Sequence, residues 1–128
     1  VSTARTLFLA RRLISNENDW CQGAEARNMD GFECGPLDDL ACQWDLLGAL
    51  TYHGDAENTA YDMVRLALDS RRGSPTCVGQ FNDDHFHFEV LEVLDEAYRL
   101  ARDFEQTTGR VSSPEDTIPP AGGLLEAA

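Results

Sequence analysis

The chain has 128 residues, a length that suits one domain. Hydrophobic residues make up 42 % of it, enough for one compact core and too many for a disordered chain. With 23 acidic and 10 basic residues the net charge is −13, which argues against direct binding to nucleic acid or to anionic membrane, where Lys and Arg must neutralise phosphates.

Every basic residue is Arg and none is Lys. A GC-rich genome, adaptation to high salt, or an acidic surface that mimics DNA before a basic partner would each produce that composition. The apolar runs are too short to span a bilayer, and the Arg-containing stretch Val1 to Ile14 has no signal-peptide pattern. A cytoplasmic protein is therefore expected. Cys21, Cys34, Cys42 and Cys77 form no C-x-x-C pair and match no zinc spacing, so reduced thiols are expected, with no cofactor.

Four helices and a tail are expected, an all-α fold. The first covers about Thr3 to Ser15, where Ala4, Leu7, Phe8, Ala10 and Ile14 recur at helical spacing. From Trp20 to Cys34 there is no clean period. Asp30-Gly31 is a turn signal there, so the stretch near residues 20–34 reads as a short hairpin or an irregular segment. A second helix is expected after Gly35-Pro36, with Asp38 and Asp39 in its first turn and an end at His53-Gly54. Its apolar stripe is Leu37, Leu40, Ala41, Trp44, Leu47 and Gly48, the glycine marking a close helix approach.

The third helix is expected from about Ala56 to Arg72, capped by Asp55, with Ala60, Met63, Val64, Ala67 and Leu68 on its buried face. Gly73 stops it and Ser74-Pro75 breaks the chain. Thr76 to Phe81 reads as a connection, extended at Cys77-Val78. The fourth and longest helix is expected over about His85 to Gln106, capped by Asn82, Asp83 or Asp84. Its buried face is His87, Val90, Leu91, Leu94, Ala97, Tyr98, Ala101 and Phe104. Gly109 is a stop. The organisation is thus a helical domain over 1–109 and a Ser-, Pro- and Gly-containing tail over 110–128.

Several short strings occur in a fixed order. Trp20-Cys21-Gln22-Gly23-Ala24 is followed by Ala26-Arg27 and Asp30-Gly31. Then come Leu47-Gly48-Ala49-Leu50, Phe81-Asn82-Asp83, and Glu89-Val90-Leu91 with Leu94-Asp95 and Ala97. This ordered set resembles a family of uncharacterised small bacterial and phage proteins, a domain of unknown function, over about Leu7 to Leu100. The resemblance implies a microbial or viral source and supplies no reaction. Where similar proteins often carry Cys three residues before the Gly of the L-G-A-L string, this chain has Asp45. If that thiol were catalytic in the family, this member would lack it.

Two places hold candidate chemistry. Trp20, Gln22, Arg27, Asn82 and Asp83 combine an amide, a guanidinium and a carboxylate, a set that orients a substrate or positions a proton-transfer group. The competing reading has Trp20 and Phe81 packing as core aromatics while Gln22 and Asn82 satisfy loop backbone groups. His85 and His87, beside Asp83 and Asp84, are the densest set of metal-ligating types, yet residues i and i+2 do not share a helix face. Capping and surface roles compete with metal binding there. No Ser-His-Asp order, phosphate-binding Gly-rich loop or H-E-x-x-H occurs.

Two functions follow from these residues. The first is a non-catalytic interaction protein, binding a protein partner through its acidic surface, its tail or both. The second is a small enzyme or ligand-binding domain using the Trp20–Arg27 and Phe81–His87 segments. Adjacent segments walling a concave site with unpaired polar groups would favour the second, and packed segments the first.

Overall fold

The computed structural model describes residues 2–55, 57–71 and 77–108. The expected tail 110–128, the stop at Gly109 and the Gly73 to Thr76 break lie outside the described residues, and the third helix, expected from about Ala56 to Arg72, is shorter, with Ser70 already at its C-cap. Among the described residues the order is α1 (Thr3–Leu13), a 3-10 turn (Glu17–Asp19), β1 (Ala26–Asn28), β2 (Ala41–Trp44), α2 (Leu46–Tyr52), α3 (Thr59–Asp69), α4 (Val78–Asp84) and α5 (His87–Thr108). The fold is predominantly helical but not all-α, because β1 and β2 form a two-stranded antiparallel sheet.

The core lies between α1, α3 and α5. Ala4, Leu7, Ala10 and Ile14 of the first segment are fully buried, and Ala60, Val64, Ala67 and Leu68 of α3 meet them, as their spacing predicts. On α5 the buried set is Val90, Val93, Leu94, Ala97, Tyr98 and Ala101. Phe104, expected on this face, is half-exposed near the helix end. α1 and α5 run antiparallel. Ala4 N donates to Glu105 Oε1 at 2.8 Å at one end, and the His87 ring meets Ile14 O at the other. Between them Arg11 Nε donates to Asp95 Oδ1 at 2.7 Å in a nearly buried ion pair. Such a pair adds little net stability but penalises any slip that would leave one charge buried alone.

The expected second helix is the main correction. Residues 41–44 form strand β2, and the helix is only Leu46–Tyr52. Asp38 and Asp39 are not in a first helical turn. Asp38 Oδ1 accepts the Leu40 N–H and Asp38 O accepts from Ala41, a local turn that competes with helix. Leu37 and Leu40, expected inside, are exposed. The helix cap is Asp45, whose Oδ1 accepts from Gly48 N at 2.6 Å. His53-Gly54 does end the helix, with Gly54 in the left-handed region at φ 76°.

Gly48 does mark a close approach, though not to a helix. A Cβ there would lie 1.9 Å from Glu25 O, at the entry to β1. The Asp30-Gly31 turn is present, with Gly31 at φ 84° and a bridge between Arg27 and Glu33. The ladder nevertheless pairs β1 with the distant β2, Ala26 facing Trp44 and Arg27 facing Gln43.

α4 occupies what the sequence presents as a connection. Only Cys77 is extended, and Val78 opens the helix. Val78, Phe81 and Asn82 are its buried positions, i, i+3 and i+4 on one face. Asn82, Asp83 and Asp84 therefore sit inside α4 and do not cap the long helix, which starts at His87. There the Phe86 N–H is taken by Glu89 Oε1 at 3.0 Å. Asp55 does cap α3, accepting from Ala60 N and Tyr61 N.

Candidate functional site

The turn after the 3-10 segment and the end of α4 are adjacent, and they bring Trp20, Gln22, Arg27, Asn82 and Asp83 together. Asn82 is fully buried at the centre. Its Oδ1 accepts from Trp20 Nε1 at 2.7 Å and from Leu46 N at 3.1 Å. Its Nδ2 donates to Cys21 O and to Asp83 Oδ1, each at 3.1 Å. One amide thus ties the Trp20–Cys21 turn and the start of α2 to α4, and its four hydrogen-bonding valences are all used.

The surrounding polar atoms are similarly engaged. Gln22 Nε2 lies 3.0–3.1 Å from the carbonyls of Asn82, Asp83 and His85, where it closes the otherwise open end of α4. Asp83 Oδ1 also accepts from Gly23 N at 2.9 Å. Arg27 Nη2 donates to Gln22 O and Nη1 to Gly31 O, both at 3.0 Å, so its guanidinium bridges the clamp and the Asp30-Gly31 turn.

The two histidines face different elements. His85 Nδ1 meets Phe81 O at 2.9 Å with the ring stacked on Phe81 at 4.0 Å. His87 Nε2 meets Ile14 O, and its ring lies 5.3 Å from Trp20. A carbonyl only accepts, so each of these ring nitrogens carries its proton and donates. Among the described residues, no group of three or more His, Cys, Asp or Glu is placed to hold a metal ion.

Asp45 and Cys21, beneath this network, are chemically unusual in ways that spacing does not reveal. Asp45 is only 5 % exposed. Burial pushes its carboxyl up to about 7, with Glu25 and Asp83 adding to the rise and the Gly48 N–H opposing it. Cys21 is buried, and burial together with Asp45 drives its thiol up to about 12. The Cys21 sulfur is therefore a neutral thiol at neutral pH, and its S–H points at Ala24 O, 3.5 Å away. The site thus holds a carboxyl raised towards neutrality and a buried thiol that stays protonated at neutral pH.

Two further features lie outside the clamp. An open hollow of about 340 Å³ is lined by Glu17, Phe86, His87 and Phe88, and none of Gln22, Arg27, Asn82 or Asp83 lines it. Between β1 and β2, residues 29–40 expose Met29, Phe32, Leu37 and Leu40. The sequence gives no sign of this exposure, because Leu37 and Leu40 fit a helical stripe.

The geometry defines a small helical domain whose hairpin is clamped to a short helix by one buried asparagine. A family model described as a family of unknown function, DUF6197, matches residues 1–100, and the chain belongs to that family. No curated protein and no solved structure matches the chain. No helix among the described residues is long and apolar enough to cross a membrane.

Proposed function

We propose that this domain is a non-catalytic protein-interaction module, at work in a bacterial or phage setting, and that the polar cluster around Asn82 is a structural clamp rather than a reaction centre. The observation that carries the reading is the hydrogen bonding of Asn82. A catalytic or binding amide keeps valences free for a ligand, whereas this one spends them on Trp20, Leu46, Cys21 and Asp83. The Cys21 thiol supports the same reading, since its pKa is raised and its S–H is directed at Ala24 O, whereas an activated nucleophile has a lowered pKa or donates to a base. The net charge of −13 directs the search towards protein partners with basic surfaces and away from nucleic acid.

The test uses the full chain as bait in lysate of the source organism, in parallel with the chain ending at residue 109. One protein recovered in near-stoichiometric amount is the expected result. Recovery of none by either bait removes the reading. A thermal-shift screen of nucleotides, sugar phosphates, amino acids and divalent metals runs beside it. A ligand whose stabilisation vanishes in Gln22→Ala would favour a ligand-binding domain built from the Trp20–Arg27 and Phe81–His87 segments instead.

A further inference from the structure

Residues 29–40 combine three properties that seldom occur together. They expose large apolar side chains: Met29 at 87 %, Phe32 at 70 %, Leu37 at 67 % and Leu40 at 70 %. Single exposed apolar residues are ordinary, but four within one short excursion of chain need an account. The excursion is also held in shape. Asn28 Oδ1 accepts from Asp30 N and Phe32 N, and Arg27 Nη1 donates to Gly31 O. Cys34 N donates to Ala26 O, Trp44 Nε1 to Pro36 O at 2.9 Å, and Ala41 N to Asp38 O. These bonds fix both halves of the excursion onto β1 and β2, so much of the ordering entropy of binding is spent before a partner arrives.

The third property is charge. The segment carries Asp30, Glu33, Asp38 and Asp39, and no Arg, Lys or His. We infer that residues 29–40 are the docking element of this domain, and that the partner is a different protein presenting an apolar groove rimmed by Lys or Arg. This rests on the interaction reading above and names its surface. Anionic lipid fits poorly, because its headgroups would repel the four carboxylates. A second copy of the chain also fits poorly, since each copy carries −13. Moreover Arg11, Arg65, Arg71 and Arg99 already face carboxylates of their own chain.

The experiment places a photo-crosslinking benzoylphenylalanine at Phe32, at Leu40 or, as control, at Phe104 in the full chain, and irradiates each in lysate of the source organism. Phe104 lies near the far end of α5 from the sheet. The expected result is one captured protein, crosslinked from positions 32 and 40 and not from 104. Phe32→Ser and Leu40→Ser should each weaken its binding about tenfold or more, the loss of a central interface anchor, with melting unchanged. Asp30→Asn combined with Asp39→Asn, both on exposed side chains, should weaken binding and flatten its salt dependence.

Crosslinks from 32 and 40 that fall on a second copy, or on residues 110–128 of the same chain, would overturn the inference. So would a captured partner that crosslinks only from 104, or one whose binding ignores Phe32→Ser and Leu40→Ser. In those last two cases the interaction reading stands and only the surface is wrong. Failure of every bait to capture any protein would sink both.

Discussion

Asn82→Ala tests the clamp most directly. The substitution removes an acceptor shared by Trp20 Nε1 and Leu46 N and the donor to Cys21 O, while Asp83 keeps its bond from Gly23 N. The Leu46 N–H belongs to the first residue of α2, beyond reach of any intrahelical carbonyl, so it has no substitute within the helix. Each buried group left without a partner costs about 1–3 kcal/mol. Three such groups give about 3–9 kcal/mol, trimmed to about 3–6 because the half-buried Trp20 can reach water. A domain of this size has about 5–15 kcal/mol in total, so the variant should stand near its folding threshold. At about 4–8 °C per kcal/mol, the melting temperature should fall by about 12 °C or more. Circular dichroism melts and urea titrations at pH 7 measure this. Asn82→Asp keeps both accepted bonds but buries a carboxylate against Cys21 O and the Asp83 carboxylate with no donor between them, and should destabilise at least as much at pH 7. A melting shift under about 3 °C for Asn82→Ala would refute the structural role, since it would mean less than about 1 kcal/mol was held there.

Other positions separate the competing readings. Gln22→Ala should cost only about 1 kcal/mol, because two of the three carbonyls it serves, those of Asp83 and His85, lie at the wet end of α4 and can turn to solvent. Urea midpoints at constant slope check this. Gly48→Ala should cost about 3 kcal/mol or more, since the new Cβ would lie 1.9 Å from a backbone oxygen. Gly79→Ala, whose Cβ would meet Leu47 Cδ1 at an ordinary 3.6 Å, should instead be neutral or stabilising by up to about 1 kcal/mol, and melts of the two side by side make the contrast. Asp45 makes a pH prediction. Its folded-state pKa is raised from 3.8 to about 7, so its proton is held more tightly in the fold, and stability falls as pH rises from about 4 to about 7. Asp45→Asn retains the helix cap and cannot ionise, so it should stabilise at pH 8, by as much as about 4 kcal/mol, and change little at pH 4. Destabilisation at pH 8 would contradict the raised pKa.

The helices that form the core were legible because their burial is one-sided and local. In α1 and α3 the apolar spacing matches the buried face, Asp55 caps α3 as expected, and no distant strand competes for the backbone. The stretch from Leu37 to Trp44 shows where this fails. Its leucines and its tryptophan sit at helical intervals, yet Ala41 to Trp44 pair with Ala26 to Asn28 from much earlier in the chain. No window of sequence contains that partnership, and Asp38 already diverts the local N–H groups into a turn. α4 was hidden for the opposite reason. Gly79 weakens its propensity, and Asn82-Asp83 look like caps for the helix that follows. The five polar site residues were legible as a group, from two segments that carry unusual side chains in loop-like settings. Their pairing with one another was not, because it depends on Asn82 entering the protein on the buried face of α4. Asp45 and Cys21 acquire their shifted pKa values mainly from burial, with neighbouring carboxylates adding to the rise, and spacing reveals neither.

The clamp and the exposed excursion are mechanically one device. Asn82 fixes the Trp20–Cys21 backbone to the start of α2. Gln22 and Asp83 fix the next turn to α4, and Arg27 carries the connection onward to Gly31. Gly48 lets α2 press against Glu25, which seats β1. Each step uses a polar group that would be costly to bury unless it were paired, and together the steps end at the base of residues 29–40. A hairpin so anchored does not need its own apolar side chains for stability, so Met29, Phe32, Leu37 and Leu40 are free to point outward. The same chain of bonds explains why damage at Asn82 should reach that surface. Loss of the clamp removes the fixed base on which the excursion stands, whereas loss of Phe32 removes only an anchor and leaves the base intact.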